Sequence, residues 1–334
     1  MRRRTLLYGN TKPNIGKNAS ACDVVFANEL GDKIILKEKD WPDLSKGFIP
    51  IGIVVVPGSH NIYGNDTCGV MSLVIMSKSD PENGTDTQWS RLWWGGVSKN
   101  ITTMTNYNKV ITTLDNTTNT ISGGFTTEVR AYLPIQNHRT GLITRNNAPY
   151  APSPYVNEDY QTGTLNPLYI TSESSNRNVL SDFDGFNNTQ KMLNEITKQP
   201  NWRTDATINN TNDNGVEGYY PSACCCWRYH TVGTNEGEWY LPALGELGYI
   251  SPKIYDLKTT ISNLKTKYPS LRIRHLYESE VFLSSTENSS TNFNYLSVQY
   301  NRGQPFSGIF NFPKWVDPNS GSTTQINAYA FMRL

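Results

Sequence analysis

A chain of 334 residues is long enough for one large domain or two ordinary ones. Its thirty basic and twenty-nine acidic side chains leave a formal charge of +1, which excludes a global field drawing the protein to nucleic acid or to a membrane surface. Only 18% of residues are charged, while Asn, Thr, Ser, Gly and Tyr abound, a surface chemistry that suits extracellular or virion-exposed proteins.

Met1-Arg2-Arg3-Arg4 opens as a signal peptide does, but only Thr5-Leu6-Leu7-Tyr8 follows before Gly9, short of the roughly 7–15 apolar residues such a peptide carries. No later apolar run is long enough to span a bilayer. The expectation is a soluble chain with no visible export signal and no membrane insertion. Residues 1–21 are basic and poor in apolar periodicity, and they read as an arm whose Arg2, Arg3 and Arg4 would dock on a partner.

From 22 to 99 the pattern is that of strands. Residues 23–26 and 33–36 flank a turn-like centre at 28–32, which predicts a hairpin. Residues 51–56 are β-branched and nearly all apolar, as in a strand buried on both faces, with 70–76 as the expected neighbour. Residues 100–178 are rich in Thr and Asn and then punctuated by Pro149, Pro152, Pro154 and Pro167. Proline at that density removes ladder donors, so a long irregular insertion without helix is expected. Between 179 and 334, helices are predicted at 188–197, capped by Asn187 or Asn188 and ended by Pro200, at 241–250 beginning near Pro242, and at 254–268, where Leu257, Ile261 and Leu264 share a face. Strands are predicted at 280–284, 295–300 and 328–334. The expected fold class is α+β, with a β-rich N-terminal part.

Few motifs point to chemistry. Five cysteines, three of them adjacent at Cys224, Cys225 and Cys226, fit neither a secreted disulfide framework nor a tetrahedral metal site, and read as packed thiols. His60, His138, His230 and His275 stand in no metal-ligand spacing, and no phosphate or dinucleotide loop is present. The oxygen-rich stretches at 182–184 and 209–215 lack the carboxylates and register of a calcium loop and read as turns. No cofactor, no metal and no catalytic residue is expected. A pair of carboxylates set for glycoside hydrolysis is invisible to sequence, because its spacing is spatial.

Four segments resemble a bacterial C-type-lectin-like family with the formylglycine-enzyme-like fold. They are Cys22-Asp23-Val24-Val25-Phe26 with residues 48–54, then Ser181-Asp182-Phe183-Asp184-Gly185, then Glu238-Trp239-Tyr240-Leu241-Pro242 running on to Gly245-Glu246-Leu247, and Leu283-Ser284-Ser285-Thr286-Glu287 with the closing strand. The resemblance implies a C-type-lectin-like domain over 179–334. The formylglycine-generating relatives use paired cysteines near the C-terminus; here Cys226 is the last, so that activity is not expected. Read as residues alone, Trp239 and Leu241 supply core area where a strand meets the helix at Pro242, Ser285 satisfies backbone groups at a bend, and Glu246 and Glu287 take buried hydrogen-bonded roles.

In that fold the segment between the last core strands is commonly the recognition face. Here 288–325 carries Phe293, Tyr295, Tyr300, Arg302, Phe306, Phe310, Phe312 and Trp315 among Asn, Ser and Gly, a mixture of large anchors and adaptable polar groups. Alternation puts Tyr295 and Ser297 on one face and Leu296 and Val298 on the other, and Tyr300, Arg302 and Trp315 are the expected ligand contacts. The Arg-rich start resembles that of structural proteins in phages of Bacteroides, including the crAss-like group. The resulting expectation is a virion structural protein (a head fibre, spike or tail-associated component) on the particle surface. Its arm would dock on capsid, collar or tail, it would assemble as a homo-oligomer, a trimer in first place, and its outer face would bind a host-surface glycan or protein. A bacterial surface adhesin of the fimbria-associated kind and a hydrolase of surface glycans stand as the alternatives.

Overall fold

The computed structural model describes residues 15–60, 63, 67–77, 79–87, short pieces between 92 and 144, 182–197, 220–277, 280–301, 304–314 and 326–334. It is an α+β fold with two main antiparallel sheets. Four strands open it: β1 (Val24–Ala27), β2 (Lys33–Leu36), β3 (Ile49–Val56) and β4 (Gly69–Ile75). The expected first hairpin forms, with Val24 opposite Leu36 and Ala27 opposite Lys33. Its turn is set by Asn28, whose Oδ1 accepts the amides of Leu30 and Asp32, and by Gly31 at φ +85°.

β3 is buried on both faces, as its unbroken apolar run predicts. Its pairing with β1 slips between Val25 and Phe26, opposite Gly52 and Pro50, so Ile51 is an extra residue. The bulge sends Ile51 to one side of the sheet and Ile53 to the other. It also accommodates Pro50, which has no amide to give to a ladder. The chain closes with β13 (Tyr329–Arg333), which pairs with β4, giving the order β13-β4-β3-β1-β2.

Short strands lie within the stretch expected to be irregular. β5 (Thr113–Asp115) pairs with β6 (Thr120–Ser122), β8 (Ile135–Gln136) with β9 (Ile143–Thr144), and β7 (Ala131–Leu133) joins the second main sheet. That sheet runs β10-β11-β12-β7, from β10 (Glu280–Glu287), β11 (Asn292–Asn301) and β12 (Gln304–Pro313). β12 corrects the expectation for 288–325, which held a strand only at 295–300: Pro305, Gly308 and Pro313 hide a second strand that pairs with β11 along its whole length. Phe293 and Tyr295 accordingly lie in the core, and the half-buried Phe312 packs on both. The predicted alternation holds, with Leu296 and Val298 facing one core and Tyr295 the other.

Among the described residues four helices cover the sheets: α1 (Gly185–Thr197), α2 (Pro221–Arg228), α3 (Leu244–Gly248) and α4 (Ile250–Lys267). α4 begins four residues before its predicted start, because Pro252 falls in the first turn, where its missing amide has no partner to lose. Ile254, Leu257, Ile261 and Leu264 bury one stripe against the face of the first sheet that carries Phe26, Ile53 and Leu73. α2 has no counterpart among the sequence expectations. Its buried side chains, Ser222, Ala223, Cys225 and Cys226, are small, so they carry little hydrophobic signal, although Pro221 at the first position marks its start. Met192 of α1 and Cys226 of α2 fill the opposite core with Trp239 and Leu241.

The last residues of the stretch read as an arm are packed. Ala19 is buried, and a Cβ on Gly16 would collide with the Leu334 carbonyl beside the reciprocal amide bonds of Cys68 and Leu334. Arg2, Arg3 and Arg4 lie outside the described residues. No described helix is long and apolar enough to cross a membrane.

Candidate functional site

The segments 238–247 and 283–287 meet at a polar seam between the two sheets. Ser285 N donates to Pro242 O at 2.7 Å, and Leu244 N donates to Thr286 Oγ1 at 2.8 Å. Pro242 is thereby held in an extended lead-in, and α3 starts at Leu244, two residues later than expected. Trp239, Tyr240 and Leu241 are fully buried on either side.

Three buried acids organise the seam. Asp182 takes the Thr286 hydroxyl at 2.8 Å, the Asn188 side-chain amide at 2.9 Å and the Asp184 amide at 3.1 Å. These bonds shift the start of α1 to Gly185. Asn188, expected as a cap, instead lies inside the first turn, where its own amide donates to Asp184 O. Burial pushes the Asp182 carboxyl up to about 6 against the pull of these donors.

Glu246 accepts the Ala243 amide at 2.6 Å and the Tyr240 hydroxyl at 2.8 Å, and Arg333 approaches it at 3.6 Å. Burial raises it to about 7 despite the nearby guanidinium. Arg333 stands over the Tyr63 and Tyr240 rings and donates to Phe183 O at 2.8 Å, which ties the last strand to the start of α1. Glu287 pairs with Lys314 in full burial and accepts the Ile101 amide at 3.2 Å.

α1 approaches this network so closely that only glycine fits at its first position. A Cβ on Gly185 would lie 2.3 Å from Glu246 Oε2, 2.6 Å from Ala243 N and 2.9 Å from Leu241 O. Two of those atoms are backbone and cannot swing aside. Gly185→Ala is expected to cost about 1–3 kcal/mol, seen as a lower denaturation midpoint in urea. An unchanged midpoint would show that α1 can back away from the seam.

A second buried pair, Arg274 with Glu280, sits at the beginning of β10, and Asn327 and Tyr329 complete it. Arg274, Glu280, Lys314, Arg333 and Trp94 were not found from sequence. Their partners come from other elements, and no local spacing announces them.

The adjacent cysteines of α2 are packed thiols. Cys225 and Cys226 are buried, burial pushes the Cys224 thiol up to about 12, and half-buried His230 places Nδ1 3.1 Å from Arg228 O. Among the described residues no group of three or more His, Cys, Asp or Glu could hold a metal ion. The Asp182–Asp184 turn is bound within the protein as above, and 209–215 lies outside the described residues.

Of the expected ligand contacts, Tyr300 is in β11 opposite Pro305, and Arg302 and Trp315 lie outside the described residues. The pairing of β11 with β12 is described as far as Asn301 opposite Gln304. No family model, no curated protein and no solved structure matches the chain.

Proposed function

We propose that the chain is a non-catalytic virion surface protein in which a C-type-lectin-like frame holds the β11–β12 tip toward a host-surface glycan or protein. One observation carries the binding part. β11 and β12 stay paired through Gln299↔Phe306, Tyr300↔Pro305 and Asn301↔Gln304, whereas among the described residues β10 reaches only Val298 of β11 and β7 pairs with residues 307–309. Among the described residues, the pairing of β11 with β12 runs further than that of either neighbour in the sheet. By residue type, Tyr300, Asn301 and Gln304, with Arg302 next in sequence, bring an aromatic anchor, a cation and adaptable hydrogen-bonding groups.

The polar chemistry of the interior supports binding over glycan hydrolysis. Asp182, Glu246, Glu280 and Glu287 are buried and engaged by amides, hydroxyls or cations, so they serve to lock the frame. The virion assignment rests on the Arg2-Arg3-Arg4 start and on the neutral, Asn- and Thr-rich composition. In this reading the arm docks on capsid, collar or tail, and the copies assemble as a trimer.

Two measurements test the two parts. Mass spectrometry of purified phage particles is expected to find the chain; its absence from them ends the virion reading. Full-length Tyr300→Ala/Arg302→Ala is expected to bind host cells roughly tenfold or more weakly with its melting temperature unchanged. Equal binding would move the contact away from the tip.

A further inference from the structure

Glu287 ends β10 and Lys314 immediately follows β12, so the pair joins two strands at one end of the second sheet. Both side chains are wholly shut from solvent, with Lys314 Nζ in contact with Glu287 Oε1. That oxygen also accepts the Ile101 amide, whereas Glu287 Oε2 is buried with no partner among the described residues. The Trp94 ring lies 4.8 Å from Nζ, pinned by its bond to Ser284 O at 2.7 Å and stacked on Phe293. A buried ion pair offsets its desolvation only when the remaining lone pairs are satisfied, and here one oxygen is bare. Burial drives Glu287 toward its acid form and Lys314 toward its free amine, and the Glu195 carboxylate reinforces the first of these.

We infer that Lys314 and Glu287 condense into an intramolecular amide that staples the end of β10 to the end of β12. The Nζ lone pair attacks Glu287 Cδ and forms the C–N bond. The Cδ–Oε2 bond breaks, and Oε2 leaves as water with the acid proton and one proton from Nζ. No oxidant, reductant or cofactor enters the balance. Ile101 N–H, already on Oε1, is placed to hold the charge that this oxygen carries in the tetrahedral intermediate. Holding both groups in one buried contact replaces encounter, and effective molarities for oriented intramolecular reactions reach about 10⁵–10⁸ M. Trp94 and Phe293 shield the product from hydrolysis. The staple is independent of the virion reading, since it is a property of the folded chain alone.

Intact mass spectrometry of the purified full-length chain, unfolded after purification, is expected to give its sequence mass less one water. Trypsin should then yield 275–302 bridged to 303–333, uncut after Lys314. Lys314→Met is expected to restore the full sequence mass. Wild-type protein at full mass, with a free 303–314 peptide, would overturn the amide. So would a water loss that persists in Lys314→Met, which would place the dehydration elsewhere, as at Asp184-Gly185. The wild-type peptide map decides the matter even if the variant fails to fold.

Discussion

Glu280→Ala is expected to destabilise the protein by about 3–5 kcal/mol, because it strands a buried guanidinium. Arg274 and Glu280 are 2% and 1% exposed. Arg274 Nη2 donates to both Glu280 oxygens at 2.8 and 3.1 Å, Nε donates to the Tyr329 hydroxyl at 2.9 Å, and Nη1 donates to Thr87 O at 3.0 Å. Asn327 Nδ2 caps the carboxylate at 2.6 Å. The Arg274 amide also donates to Leu73 O, so the residue ties β4, β10 and β13 together at one point. Removing the carboxylate leaves a charge that cannot reach water. Removing both charges has a different outcome: Arg274→Met/Glu280→Leu is expected to recover most of the loss, since apolar residues of similar volume need no pairing. Urea denaturation of the two single variants and the double gives the coupling energy. Additive losses would mean that the pair does not act as a unit.

What could be read from the chain depended on how local the physics was. β1 to β4 announced themselves because apolar, β-branched runs admit few other structures, and α4 because Leu257, Ile261 and Leu264 recur at helical spacing. The buried, hydrogen-bonded roles of Glu246 and Glu287 and the bend at Ser285 were also legible, from acids set among apolar residues and from the density of short hydroxyl side chains. The bulge at Ile51, the burial of Ala19 and the strand β12 were not. Each depends on which neighbour arrives from far along the chain, and Pro305, Gly308 and Pro313 argue locally against a strand. Composition also could not sort the aromatic residues of 288–325. Phe293 and Tyr295 go to the core and Tyr300 to the far end of the hairpin, although all three sit in one strand with the same kind of neighbours. The buried cations were hidden for a related reason: Lys314 and Arg333 read as surface charges until their carboxylates are placed beside them.

The seam should also make the fold more stable in mild acid than in mild base. Glu246 rises from 4.5 to about 7, chiefly through burial, while Arg333, the Ala243 amide, and the Tyr240 and Tyr63 hydroxyls oppose the rise. The folded state therefore holds a proton that the unfolded chain has given up. This stabilisation is complete below the unfolded value of 4.5 and is lost as pH rises through 7. The shift corresponds to about 3 kcal/mol. Asp182, raised from 3.8 to about 6, acts in the same direction over a lower window. The melting temperature is thus expected to fall between about pH 5 and about pH 8. Glu246→Gln separates the two acids. Its amide is neutral at every pH, it keeps an oxygen for the Ala243 amide, and its NH₂ can donate to the Tyr240 hydroxyl. Its curve should be flatter above about pH 6, with the residual slope at lower pH left to Asp182. Parallel curves for the two proteins would mean that Glu246 is ionised throughout, held so by Arg333. The seam would then be an ion pair and not a proton-holding lock.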